Sequence, residues 1–148
     1  MVTVEQLALR DHLPQAVRLA CMAWHEVEQP YRTGEFYAGT DVFLLWEDHG
    51  MLRYYALKDG DRIVGHLCFV VSKSRTTTGY EAFEETFFIE PEFRLGRNAV
   101  KLLKHALESL RGEGVGDIYI GSKLTAGRPI DALLKRYGGK HVANLYVF

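Results

Sequence analysis

Two apolar runs around a four-residue turn constrain this chain more than any other feature. Leu52 to Leu57 and Arg62 to Val71 are rich in β-branched and aromatic side chains, and Lys58-Asp59-Gly60-Asp61 stands between them. An Asp-Gly pair accepts the positive φ angles of a tight hairpin turn, so the two runs are expected to pair antiparallel. A polar loop from Ser72 to Gly79 leads to a third run, Tyr80 to Ile89. Glu90-Pro91 must end that run, because proline has no N–H to give to a ladder.

The flanks read as mixed helix and strand. Val2 to Leu9 alternates like an opening strand, and Asp11 with Pro14 suggests a helix start, Asp11 being the N-cap candidate. The helix is expected to run to about Glu28, with Leu13, Val17, Ala20, Cys21, Trp24 and Val27 on its core face. Gln29 to Gly39 is irregular. Thr40 or Asp41 then caps a short helix carrying Phe43, Leu44 and Trp46, which ends near Gly50. Beyond the third run, an amphipathic helix to about Gly112 presents Leu103, Ala106, Leu107 and Leu110 on one face. A short buried strand at Asp117 to Gly121, a helix at Ile130 to Tyr137 and a last strand at Gly139 to Phe148 complete the order. This is an α+β or α/β layer around a mixed sheet, with no linker to divide residues 1–148 into more than one domain.

Composition excludes several classes of function. With 47% apolar and 12% aromatic residues the chain can build a packed core, and a net charge of -1 offers no bulk field toward nucleic acid or an anionic membrane. No stretch reaches the roughly 20 apolar residues of a membrane span, and Met1-Val-Thr-Val-Glu-Gln lacks the blocks of a signal peptide, so a cytoplasmic protein is expected. Cys21 and Cys68 lie in apolar runs without ligand spacing and read as buried thiols. His25, His49, His66, His105 and His141 show no metal-ligand spacing either, so no metal is expected.

The chemistry concentrates after the third run. A strand, a proline and a short Arg/Gly turn opening a long helix form a phosphate-binding device, because free first-turn N–H groups and the positive end of the helix dipole face an anion. Arg94-Leu95-Gly96-Arg97-Asn98-Ala99 has that form, and by itself also fits an ordinary strand-to-helix loop.

Phe87-Phe88-Ile89-Glu90-Pro91-Glu92-Phe93-Arg94-Leu95-Gly96-Arg97-Asn98-Ala99-Val100-Lys101-Leu102-Leu103 resembles the signature of the GNAT superfamily of acetyl-CoA-dependent N-acetyltransferases. Lys58 to His66 resembles that family's central hairpin, and Leu133 to Gly139 its last helix entering the C-terminal strand. The chain is most similar in tone to short members from phage genomes, which often carry Gly-Arg at this turn and Gly-Ser-Lys after the fifth strand, as Gly121-Ser122-Lys123 does here; for such a member the host cytoplasm is implied. The resemblance implies a central, mostly antiparallel mixed sheet of about six to seven strands flanked by about four helices. It implies acetyl-CoA as cofactor, with Arg94, Leu95, Gly96, Arg97, Asn98 and Ala99 cradling the pyrophosphate, Phe88 and Ser122 beside the cofactor, and the Ile89 N–H holding the acetyl carbonyl. Where the family has the first glycine of this loop, the chain has Arg97.

Amine acetylation needs a base, and the resemblance points to Glu85, four residues before Ile89 on the same strand; a solvated carboxylate like Glu81 is the alternative. Glu84 and Glu85 are expected to point to opposite faces, so at most one enters a cleft. Many relatives protonate the leaving thiolate with a tyrosine where Leu134 stands here. Tyr137 is the nearby candidate acid, though it equally fits core packing, and Ser122, Tyr146 or water are the substitutes. Glu26 and Tyr31, with Glu28, Glu35, Tyr37 and Trp24, form an acidic, aromatic rim suited to a cationic amine, unless Trp24 is core and the glutamates are a solvated face. Arg18, Arg32, Lys73 and Arg75 suit an acidic acceptor or a protein surface instead. The expected acceptor is a small-molecule or protein amine. Nucleic acid finds no support in the charge, a homodimer could form through the apolar C-terminal strand, and a catalytically weak acyl-CoA-binding or protein-interaction module is the alternative function.

Overall fold

In the computed structural model, which describes residues 1–124 and 130–148, five strands form one sheet in the order β1-β2-β3-β4-β5. The strands are β1 (Val2–Leu7), β2 (Leu52–Asp59), β3 (Arg62–Lys73), β4 (Tyr80–Ile89) and β5 (Val115–Tyr119). The first four are antiparallel neighbours, and β5 joins β4 in parallel after the crossover helix α3 (Asn98–Gly112). The sheet is mixed and mostly antiparallel, as anticipated, but among the described residues it has five strands and not six or seven. The hairpin turns at Gly60, whose φ of 61° is open to glycine.

Two apolar layers cover the sheet. On one face, Tyr55, Leu57, Leu67 and Phe69 pack against Leu102, Leu103, Ala106 and Leu110 of α3, with Leu133, Leu134 and Tyr137 from the region of α4 (Asp131–Arg136) at the margin. On the other, Tyr54, Ala56, Ile63, Cys68 and Phe88 meet Ala16 and Leu19 of α1 (Leu13–Ala23), with Phe43 and Trp46 of α2 (Thr40–Asp48). Between α1, α2 and the sheet remains a cavity of about 50 Å³ floored by Tyr54, His66, Cys68 and Thr86.

Several expectations are corrected. Asp11 is not an N-cap: Leu9–His12 is a 3₁₀ turn and α1 begins at Leu13 without a capping side chain. The stripe of α1 that is fully buried carries Ala16 and Leu19, while Val17 and Ala20 line the cavity, so the core face is rotated from the one the spacing suggests. The first helix changes pitch at Trp24–Glu28, a single π turn, before a 3₁₀ turn at Gln29–Tyr31. Gly39, with φ 66°, precedes α2 in place of a polar cap. Cys21 is half-buried, and only Cys68 is a buried thiol. The fifth strand starts two residues earlier than expected and is mostly exposed beyond Val115. Residues 139–148 form no strand, since pleated backbone needs a partner and among the described residues none lies alongside; Leu145 is 92% exposed.

Candidate active site

The site begins where two strands part. Tyr80 to Phe83 of β4 pair with β5, the last rung being Phe83 with Tyr119, whose rings stack at 4.7 Å. β4 then continues to Ile89 while β5 ends, with no other strand of the described residues on that side. A cleft therefore opens along residues 84–89, with the backbone of β4 as one wall.

The donors on that wall follow from register. Gly65 is opposite Ile89, and the Glu90 N–H donates to the Val64 carbonyl at 2.9 Å. In an antiparallel ladder successive residues alternate edges, so the amides of Ile89 and Phe87 face the cleft while those of Glu90 and Phe88 face β3. The Ile89 carbonyl, on the same edge, accepts from Arg94 Nε at 2.7 Å. Phe88 is buried on the α1 side, and the Arg94 guanidinium lies 5.2 Å from its ring centroid.

At the fork, β4 bulges. Cys68 pairs with Thr86 but Phe69 pairs with Glu84, which leaves Glu85 as the extra residue. The bulge breaks the strict alternation on which the opposite-face expectation for Glu84 and Glu85 depends. Glu85 is exposed, and partial burial moves its carboxyl above the usual range. Glu84 is half-buried and reaches across the fork, where Oε1 accepts the Gly121 N–H at 3.1 Å. Burial pushes its carboxyl up to about 7, against the opposing pull of the Gly121 N–H and the Lys123 ammonium. Among the described residues no carboxylate is placed closer to neutrality, and the sequence did not single it out because the bulge that frees it leaves no local signature.

The other end of the cleft is the start of α3. Pro91–Phe93 forms a 3₁₀ turn, Gly96 takes φ 75°, and Arg97 precedes the helix without a capping side chain. The first-turn amides of Asn98, Ala99 and Val100 thus have no side-chain partner in a 15-residue helix. Leu95, Gly96 and Arg97 are exposed, and the Asn98 side chain donates back to the Phe93 carbonyl at 2.9 Å, holding the loop.

The π turn spans both lips. Arg94 meets Glu26 through its two terminal guanidinium nitrogens at 2.9 and 2.5 Å, and Lys123 Nζ lies 3.4 Å from Glu28 Oε1. Glu26, expected as part of an acidic rim, has its charge matched by Arg94. Tyr31 is half-buried next to this turn, and Ser122 is exposed between Gly121 and Lys123. Tyr137 packs against the α3-side core, whereas Tyr146 lies in the exposed C-terminal segment. Among the described residues no group of three or more His, Cys, Asp or Glu could hold a metal, and no helix is long and apolar enough to cross a membrane.

This architecture recurs in solved structures. A predicted acetyltransferase with acetyl-CoA from Clostridium acetobutylicum superposes with a TM-score of 0.76 at 12% identity, covering 100% of this chain and 96% of that one. An aminoglycoside acetyltransferase from an uncultured soil metagenomic sample gives 0.73 at 16% identity, covering 100% and 97%. Glucosamine-6-phosphate N-acetyltransferase from Arabidopsis thaliana gives 0.73 at 11%, again covering 100% and 97%. No curated protein matches the sequence. The profile of the acetyltransferase (GNAT) family matches residues 14–138, from α1 through the cleft to the end of α4, and the chain belongs to that family.

Proposed function

We propose that the protein is an N-acetyltransferase that transfers an acetyl group from acetyl-CoA directly to a cationic amine, with Glu84 as the general base. The observation that carries this reading is the open edge of β4, with a carboxyl group near pKa 7 at its fork and an uncapped helix N-terminus at its far end.

The residues fit the cofactor. The turn from Arg94 to Ala99, exposed at Leu95 to Arg97, would hold the pyrophosphate on the amides of α3, with the Arg97 guanidinium as a second ligand that a glycine could not supply. The bound thioester supplies an activated acetyl group. Phe87 and Ile89 offer two amides about 7 Å apart along the strand, suited to an extended pantetheine arm. Glu84 lies on the order of 10 Å from Phe87 and 17 Å from Ile89 along the chain, so the Phe87 amide is the better placed to polarise the acetyl carbonyl. The Ile89 amide then serves the arm. Glu84, and not the exposed Glu85, takes the ammonium proton, directly or through a water.

A thiolate of pKa near 8.5 leaves readily, and no acid is required of Tyr137, whose ring belongs to the core margin. The acceptor enters beside the π turn, within reach of the Glu84 carboxyl. Calorimetric titration with acetyl-CoA tests the cofactor site: micromolar binding, lost in Arg97→Glu, is expected. Absence of binding to the wild-type protein would refute the reading.

A further inference from the structure

We propose that Lys123 is itself an acetyl acceptor, so that the protein modifies the lip of its own cleft. This rests on the acetyl-CoA reading above. The Lys123 side chain, on the segment that follows β5, is 39% exposed; its ammonium lies 3.4 Å from Glu28 Oε1 and is near enough to Glu84 to act on that carboxyl. Two residues earlier, the Gly121 amide is bonded to the Glu84 carboxylate, which ties this segment to the proposed base. The ammonium therefore sits where an incoming cationic amine would be received, between Glu28 and Glu84. Other lysines are engaged elsewhere: Lys58 pairs with Glu5 across β1 and β2, Lys104 with Glu108 within α3 and Lys135 with Asp131 within α4.

In the step, Glu84 accepts a proton from the Lys123 ammonium, and the freed Nζ lone pair attacks the thioester carbonyl of acetyl-CoA. A C–N bond forms, the C–S bond breaks, and the coenzyme leaves as a thiolate that takes up the second proton, shed by the acylated nitrogen, directly or through water; Glu84 releases the first to solvent. No oxidant or reductant is involved. The product amide is neutral and no longer pairs with Glu28, so modification releases this lip from the π turn and vacates the seat for an external amine.

The test incubates the purified chain with acetyl-CoA and no added amine, reading intact mass and peptide maps. One acetyl group per chain on Lys123 is expected, at a rate per molecule independent of protein concentration, absent in Lys123→Arg and about 100-fold slower in Glu84→Gln. Labelling that rises with protein concentration, or spreads equally over Lys101, Lys104, Lys135 and Lys140 in native and urea-unfolded protein, overturns the inference. A ligand-free readout accompanies it: in Lys123→Gln the Glu84 carboxyl, followed by NMR, titrates at higher pH than in the wild type, and an unchanged midpoint removes Lys123 from the site. Calorimetry separates the two levels. Acetyl-CoA binding without Lys123 labelling overturns this inference and leaves the proposed function standing, whereas no binding overturns both.

Discussion

Gly65 faces Ile89 across β3 and β4 with no room for a methyl group: a Cβ on Gly65 would lie 2.9 Å from Ile89 Cγ1 and 3.1 Å from the Phe88 carbonyl oxygen. The glycine is required by this close approach. Gly65→Ala must push β4 outward where its amide faces the cleft. A loss of about 1–3 kcal/mol in urea unfolding is expected, with weaker acetyl-CoA binding by calorimetry. Unchanged values for both would show that the strand does not need its present position.

The Glu84 carboxyl gives a pH signature with a definite sign. Its folded value of about 7 stands above an ordinary 4.5, so the native state holds the proton more tightly than the unfolded one. Stability from this group is present below pH 4.5 and is lost as pH rises through 7. Glu84→Gln should therefore gain on the order of 1–3 kcal/mol over wild type at pH 8 and little at pH 4.5, measured by chemical denaturation. In the same variant, turnover of any amine acceptor should fall by about 100-fold or more.

His66 works in the opposite direction. Burial holds its imidazole neutral and lowers its pKa to about 4, while Nδ1 meets the Tyr54 hydroxyl at 3.0 Å and Nε2 meets Thr86 Oγ1 at 3.3 Å. A depressed folded value means stability that is full above the ordinary 6.5 and lost as pH falls through 4. Up to about 3 kcal/mol should disappear over that window, and His66→Met should flatten the dependence in acid titrations followed by circular dichroism.

Glu90, 1% exposed, accepts from Arg18 at 2.6 Å and Arg62 at 2.7 Å, and Arg18 also donates to the Ile63 carbonyl at 2.7 Å. These bonds fasten α1 to the end of β4 beside the cleft. Glu90→Ala leaves two guanidiniums without their shared anion and should cost about 2–4 kcal/mol. Arg62→Ala, which leaves the Arg18 bond intact, should cost less; equal losses would contradict the shared arrangement.

Local signals carried much of this fold. The Asp-Gly hairpin lies where its turn chemistry places it, and β4 runs from Tyr80 to Ile89 because Pro91 ends it. Asn98–Gly112 is amphipathic enough to be read directly from its leucines. Features set by pairing between distant segments were hidden. The rotation of α1 depends on how α2 packs, and the bulge at Glu85 depends on the register of β3. That register leaves Glu85 exposed in the bulge and turns Glu84 toward Gly121. The pairing of Glu26 with Arg94 joins residues 68 positions apart, so a sequence reading could see two charges but not that they meet. The last ten residues show the converse: an alternating apolar segment predicts a strand, yet extended backbone becomes one only beside another.

The two lips of the cleft are fastened to one turn by charge, Glu26 to Arg94 and Glu28 to Lys123, and neither pair is deeply buried. Attraction between such groups is damped once mobile ions crowd within the Debye length, about 8 Å at physiological ionic strength and about 3 Å at 1 M. Salt thus acts on this protein as a mechanical control: the spacing of the walls, and the rate at which a coenzyme slides in or out, should change with ionic strength even where nothing in the core does.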